Sequence, residues 1–374
     1  MRIDFHPSAG PTLGVEWEFA LVDRESGDLV SAADDLLGAV TGRVDDAHLH
    51  KELLRNTVEV VTGVCDTVED VVTDLRRTLD VVMPTAESLG VDLFGAGTHP
   101  FAQWSAQQVT AGERYEELIN RTQWWGRQML IWGVHVHVGM PERDRVMPVI
   151  GALLSSYPHL QALSASSPIW AGTDTGYASN RALMFQQLPT AGLPFTFDTW
   201  TEYEACVGDQ MTTGVIDSLS DVRWDIRAAP HLGTIENRVC DGLTDIRELA
   251  AITALVQCLV VDLDRRVAAG EQVSVLPPWH VQENKWRAAR YGLDAIIITG
   301  PDSSERLVTD DLADLLERLA PLAEELGCSE ELADVASIPT RGASYQRQRT
   351  AAAESGGDLR AVVDLVTAEL RESL

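Results

Sequence analysis

The sequence predicts an α+β fold built on an antiparallel sheet, and three observations lead there. Several short segments alternate apolar and polar residues, the pattern of a sheet with one packed face and one open face. Long amphipathic stretches with helix-terminus signals separate them. None of the strand-like segments is apolar throughout, as a parallel sheet covered on both faces would require.

The elements follow in order. TLGVEWEFALVD, Thr12 to Asp23, is a strand: Val15, Trp17, Phe19 and Leu21 share one face, and Glu16 and Glu18 the other. DRESGD is a turn, and SAADDLLGAV a short helix capped by Ser31. NTVEVVTGV, residues 56–64, is a second strand. DTVEDVVTDLRRTLDVVMPTAESLG is a long helix with Asp66 or Thr67 at its cap and Gly90 at its end. Pro84 is expected to kink or divide it. VDLFGAGTHP is a strand running into a loop, RYEELINRTQWWGRQMLI a helix, and WGVHVHVGM a strand of clean alternation. Helices are expected at about 143–163, at 180–187 and over FDTWTEYEACVGDQM. VRWDIRAAP and GTIENRVCD read as adjacent strands joined near His231–Gly233. TDIRELAAITALVQCLVVDLDRRV is a long apolar helix. From about Trp279 onward the chain is mostly helical, except that residues 340–356 lack apolar periodicity and read as a loop or mobile segment. No internal repeat is visible. A single catalytic domain over 1–374 is expected, with its core at about 11–290 and a helical extension over 291–374.

The totals exclude several function classes. The chain has 374 residues, 45% hydrophobic, and no apolar run approaches the roughly 20 residues of a membrane span. MRIDFHPSAG has no apolar signal-peptide core, so a cytoplasmic protein is expected. A net charge of −28 repels nucleic acid and anionic lipid, so neither is expected as a partner. Lys51 and Lys285 are the only lysines. The five cysteines, Cys65, Cys206, Cys240, Cys258 and Cys328, form no CxxC pair and are expected as free thiols.

Four strand segments carry chemistry-bearing residues. The first holds Glu16 and Glu18; the second Glu59, with Glu52 just before it; the third His135 and His137; the fourth Glu236 and Arg238. Each pair alone resembles an ordinary solvated face. Four in one chain, on strands sharing a sheet, would line an open face with Glu, His and Arg. Carboxylates with imidazole suit Mg²⁺ or Mn²⁺ better than Zn²⁺, and divalent ions beside arginine make a phosphoryl-transfer environment. No GxxxxGK[ST], GxGxxG or GxSxG motif is present.

Five ordered stretches, TLGVEWEFALVD, KELLRNTVEVVTGVC, GVHVHVG, SNRALMFQQLPTAG and GTIENRVCD, resemble the glutamate–cysteine ligase type 2 family of bacterial ATP-dependent carboxylate–amine ligases. That family is similar to the glutamine synthetase catalytic domain. The resemblance therefore implies a curved antiparallel sheet with helices on its convex face, and ATP with Mg²⁺ or Mn²⁺ in its concave face. It implies Glu16, Glu18, Glu52, Glu59, His135 and Glu236 as metal ligands. His137 would contact nucleotide phosphate, Arg238 and Arg227 would be catalytic phosphate-side cations, and Arg181 would pair with a substrate carboxylate. Trp17 stands where the family usually has Glu, and Asn237 where it usually has an aromatic residue. Both fall on the opposite strand face, so catalysis should survive.

The activity implied is ligation through an acyl-phosphate, with the γ-carboxylate of glutamate as acid and an amine such as cysteine as acceptor. The partners would be those small molecules. Oligomeric state is left open, a homodimer included. The alternatives are a divalent-metal-dependent hydrolase using the same Glu/His face, or a catalytically silent ligase-like binding protein.

Overall fold

The computed structural model of the chain describes residues 1–374. Its main sheet has seven strands: β1 (Leu13–Asp23), β2 (Leu49–Lys51), β3 (Thr57–Val61), β4 (Val91–Phe94), β5 (Gly133–Gly139), and, after a two-residue-strand hairpin of β6 (Ile169–Trp170) and β7 (Thr173–Asp174), β8 (Ile226–Ala229) and β9 (Thr234–Asp241). The order is β2-β3-β1-β5-β9-β8, with β4 also on β1, and every pairing is antiparallel. A separate hairpin joins β10 (Ile296–Ile298) to β11 (Glu305–Leu307). The α+β antiparallel class follows as the alternation implied.

The helices are α1 (Ala33–Val40), α2 (Val68–Ser88), α3 (Glu113–Arg127), α4 (Arg143–Leu153), α5 (Tyr157–Ser164), α6 (Asn180–Phe185) and α7 (Trp200–Thr212). They continue with α8 (Ile246–Ala268), α9 (Pro278–Tyr291), α10 (Val308–Leu326), α11 (Ser329–Asp334), α12 (Ser337–Arg341), α13 (Ser344–Glu354) and α14 (Arg360–Ser373). Val15, Trp17 and Phe19 of β1, Val58 and Val60 of β3, and Val134, Val136 and Val138 of β5 are fully buried in one core with α2 and α8. Each such side chain contributes about 1.5–3 kcal/mol by leaving water. That packing fixes strand register: a slip of one residue would bury the carboxylates and expose the valines.

Four local expectations are corrected. Ser31 does not cap α1; the helix starts at Ala33 with no side-chain cap bond, and its buried stripe of Ala33, Leu36 and Val40 holds it instead. Thr67 caps α2 through a reciprocal bond pair with Asp70, but Pro84 leaves that helix undivided. The carbonyl four residues before Pro84 belongs to exposed Asp80, where water can take the missing bond. The helix at 113–127 stops short of Ile131 and is broken at Gln123, whose φ is 51°. Residues 340–356 are no loop: they hold the end of α12 and all of α13. Apolar periodicity missed them because they are tied down by charge. Arg347 pairs with Glu248 on α8 and Glu369 on α14, and Arg341 pairs with Asp245 and Glu248. Gln348 adds a bond to the Ser166 carbonyl.

Arg347→Met removes the cation shared by Glu248 and Glu369. A lower midpoint in urea unfolding, worth about 2 kcal/mol, is the expected result; an unchanged midpoint would show that this network adds no stability.

Candidate active site

The face of the sheet opposite the core collects the residues singled out by the sequence. Register puts Glu18 opposite Glu59, Glu16 opposite His135, and Glu236 between His137 and Arg227. The bonds are short. His135 Nδ1 lies 2.7 Å from Glu16 Oε2, and His137 Nε2 lies 3.3 Å from Glu16 Oε1. Arg227 grips Glu236 with two nitrogens, at 2.6 and 3.2 Å, and Arg238 donates to the same carboxylate. Glu16, His137 and Glu236 each offer a ligand atom within 4.8 Å of the others, and so do Glu16, Glu59 and His135. His137, expected at phosphate, therefore stands among carboxylates as His135 does, 3.3 Å from Glu16 and 4.0 Å from Glu236. It also bonds Thr234 Oγ1 at 2.9 Å.

Charge divides this face into two halves. Burial pushes Glu236 toward protonation, but Arg238, Arg227 and His137 outweigh it and hold its carboxyl well below the usual range. Glu16 is likewise held low, because hydrogen bonds from His135 and His137 overcome its burial. Glu59 is the reverse: burial, then Glu16, Glu52 and Glu18, push it well above the usual range. Burial raises Glu18 and Glu52 as well. Burial and Arg238 lower His135, whereas Glu236 and Glu16 raise His137 against its burial. Oxygen-rich donors with a proton-loving, uncompensated carboxylate cluster fit a divalent cation of the Mg²⁺ or Mn²⁺ kind.

Glu18, Glu52 and Arg238 line a cavity of about 330 Å³, which Arg114, Arg121 and Arg223 also line. Arg223 is paired with Asp221 at 2.8 Å, whereas Arg114 has no carboxylate within ion-pair distance. Sequence reasoning assigned these three arginines no role; the available signal was Arg114 and Arg121 seven residues apart, on one face of α3.

Arg181 is buried, with its Nη1 on the Arg238 carbonyl at 3.3 Å and its guanidinium, like that of Arg238, 5.8 Å from the Phe185 ring. Its backbone is fixed by Ser167 Oγ, which in turn bonds Asp241. Asp241 also receives Ser166 N and Ser179 Oγ. A bulge explains why alternation missed Asp241. β5 pairs Val134 with Cys240 and Val136 with Asn237, so β9 carries one extra residue there. Cys240 turns into the core and Asp241 to the functional face. A Cβ at Gly133 would run into the Arg181 guanidinium, so a side chain there would displace it. Trp17 and Asn237 lie buried on the core side, as expected. All five cysteines are free.

A family model, glutamate–cysteine ligase family 2, matches residues 12–365. The chain belongs to that family. Its members are ATP-dependent carbon–nitrogen ligases. A Nocardioides sp. protein provisionally named glutamate–cysteine ligase 2-3 is 69% identical over 375 residues, covering 100% of both chains. A Mycobacterium ulcerans protein provisionally named glutamate–cysteine ligase 2 is 63% identical over 369 residues, covering 99% of this chain and 93% of its own. In fold, the chain is similar to the Francisella tularensis glutamate–cysteine ligase in complex with AMP. The TM-score is 0.71 at 14% identity, over 99% of this chain and 90% of that one. It is also similar to a bifunctional glutathione synthetase from Pasteurella multocida, with a TM-score of 0.69 at 13% identity, over 97% of this chain and 53% of that one. No helix is long and apolar enough to cross a membrane.

Two outcomes follow for this family 2 ligase. Glu18, Glu52 and Glu59 hold protons more tightly than free carboxylates, so a divalent cation arriving among them displaces protons. Mn²⁺ affinity should rise with pH, and titration calorimetry in buffers of different ionisation enthalpy should show net proton release; no release would place the cation elsewhere. Gly133→Ala should displace Arg181 and lower turnover by roughly tenfold or more while circular dichroism stays native; full activity would show that Arg181 needs no such placement.

Proposed function

We propose that this protein joins the γ-carboxylate of glutamate to an amine, of which cysteine is the leading candidate, through an acyl-phosphate made with ATP. The observation that carries this reading is the convergence of Glu16, Glu59, His135, His137, Glu236 and two arginines on the face of the sheet opposite the core. Family membership supports the reaction class, and the AMP in the Francisella ligase supports a nucleotide in the fold.

A carboxylate is a poor acyl donor because its leaving group would be oxide. Phosphorylation by ATP replaces that with phosphate, and the amine nitrogen then displaces it to form the amide. Little covalent chemistry is asked of the protein; it orients the groups and offsets charge. Glu16, Glu18, Glu52, Glu59, His135 and Glu236 would hold Mg²⁺ or Mn²⁺, with His137 beside Glu16 and Glu236. When bound, the cations neutralise phosphate oxygens. Arg238 and Arg227 lie beside Glu236 and would take charge developing on the transferred phosphoryl group.

Arg114 and Arg121, neither paired with a carboxylate, would give the cavity its affinity for an acid. An acidic substrate entering a protein of net charge −28 needs local cations, and Arg114 has no carboxylate of its own. Arg181, behind Arg238, would hold the Arg238 main chain in place as well as attract the substrate carboxylate.

Glu236→Gln keeps the side-chain volume while removing the charge. ADP release with Mg²⁺, glutamate and an amine panel should fall by roughly 100-fold or more, with a native circular dichroism spectrum. Wild-type rates in that variant would sink the site assignment. ADP release by the wild-type protein with no acid in the panel would sink the glutamate reading.

A further inference from the structure

A second cavity, of about 690 Å³, lies across α6 from the first. The short helix is a shared wall: Phe185 and, just beyond its end, Leu188 line the first cavity, whereas Leu183, Gln186 and Gln187 line the second. Phe195 and Trp286, 60% and 40% exposed, stand at the second cavity as flat apolar surfaces, and Gln282 adds a third side-chain amide. Lys285 also lines it, although its side chain is only 4% exposed. Its ammonium has one hydrogen-bond acceptor, Asp225 Oδ2 at 2.7 Å, so two of three N–H donors have none.

We propose that this cavity is an effector site for a small planar molecule bearing an uncharged carbonyl, of the aromatic-amide class. The carbonyl oxygen would accept from Lys285, the amide group would bond the glutamine side chains, and the ring would lie against Phe195 and Trp286. A carboxylate is the wrong partner. Asp225 already cancels the Lys285 charge, and a second buried anion would stand uncompensated in an acidic protein.

The site is wired to the other cavity. Asp225 N donates to the Gly192 carbonyl in the second cavity's loop at 2.8 Å, and Arg238 N donates to the Asp225 carbonyl at 2.7 Å. Two consecutive main-chain bonds thus join the loop to the arginine that grips Glu236. Phe185, on the shared helix, lies against both Arg181 and Arg238. Occupancy of one cavity therefore changes affinity in the other, and the change is reciprocal.

The test uses the full chain, with benzamide and nicotinamide as probes and benzoate as the charged control. Saturation-transfer NMR and calorimetry should show amide binding with a Kd on the order of 1 mM, and benzoate at least about fivefold weaker. Phe195→Ala, an exposed position, should weaken the amides about fivefold. Gln282→Trp, also exposed, should fill the cavity and abolish binding. Lys285→Met should remove the preference for amide over benzoate if it folds; the other two variants stand without it. A nonhydrolysable ATP analogue with Mg²⁺ should change benzamide affinity by the factor by which benzamide changes the analogue's. No amide binding, binding intact in Gln282→Trp, outright competition with the analogue, or no reciprocal change each overturns the proposal. The binding arm is independent of the ligase reading, so the two can fail separately.

Discussion

Everything in this structure is arranged around the mutual repulsion of carboxylates held on one face of a sheet. Glu16 and Glu59 can bring carboxylate oxygens within 4.8 Å of each other, and two unit charges that close repel by at least roughly 3 kcal/mol at an effective dielectric of 20. Glu18, Glu52 and Glu236 add to the crowd. The apolar core behind the sheet makes the crowding stable. Trp17, Phe19 and the valines of β3 and β5 leave no other register in which the strands can pair. The core thus forces the carboxylates together, and the face answers with arginine, imidazole and retained protons.

Those answers are divided by position in the sheet. At the β8–β9 edge, Arg227 and Arg238 clamp Glu236, while His135 and His137 bond Glu16 on central β1, so both carboxylates stay ionised without any added ion. Toward β3 no arginine pairs with Glu59, and burial with the neighbouring carboxylates raises its proton affinity instead. A divalent cation would have more to gain at the second half, where it would compete with protons, than at the first, where it would have to share Glu236 with two guanidinium groups. The halves are joined by Glu16, which belongs to both groups of ligand atoms.

The legible part of the fold was the part governed by period-two alternation. Glu16 with Glu18, His135 with His137, and Glu236 with Arg238 could each be placed on one face because each pair lies two residues apart, and with Glu59 they were expected to share a face if their strands shared a sheet. Alternation fails where the backbone departs from it. The extra residue in β9 sends Cys240 inward and Asp241 outward, and straight counting gives the opposite. It also says nothing of groups brought in from helices and loops, such as Arg114, Arg121, Arg223 and the Asp225–Lys285 pair. Residues 340–356 were opaque for another reason: buried ion pairs leave no apolar stripe to count.

Asp241 shows how far this logic extends beyond the glutamates of this face. Burial raises its proton affinity, yet Arg181 and three donors from Ser166, Ser167 and Ser179 draw its charge into a fixed network. Through Ser167 that network fixes the start of α6, and α6 carries both Arg181 and the Phe185 ring against Arg238. The bulge is therefore a working part of the site. Without its extra residue, a thiol would occupy this position, and the helix dividing the two cavities would lose its anchor.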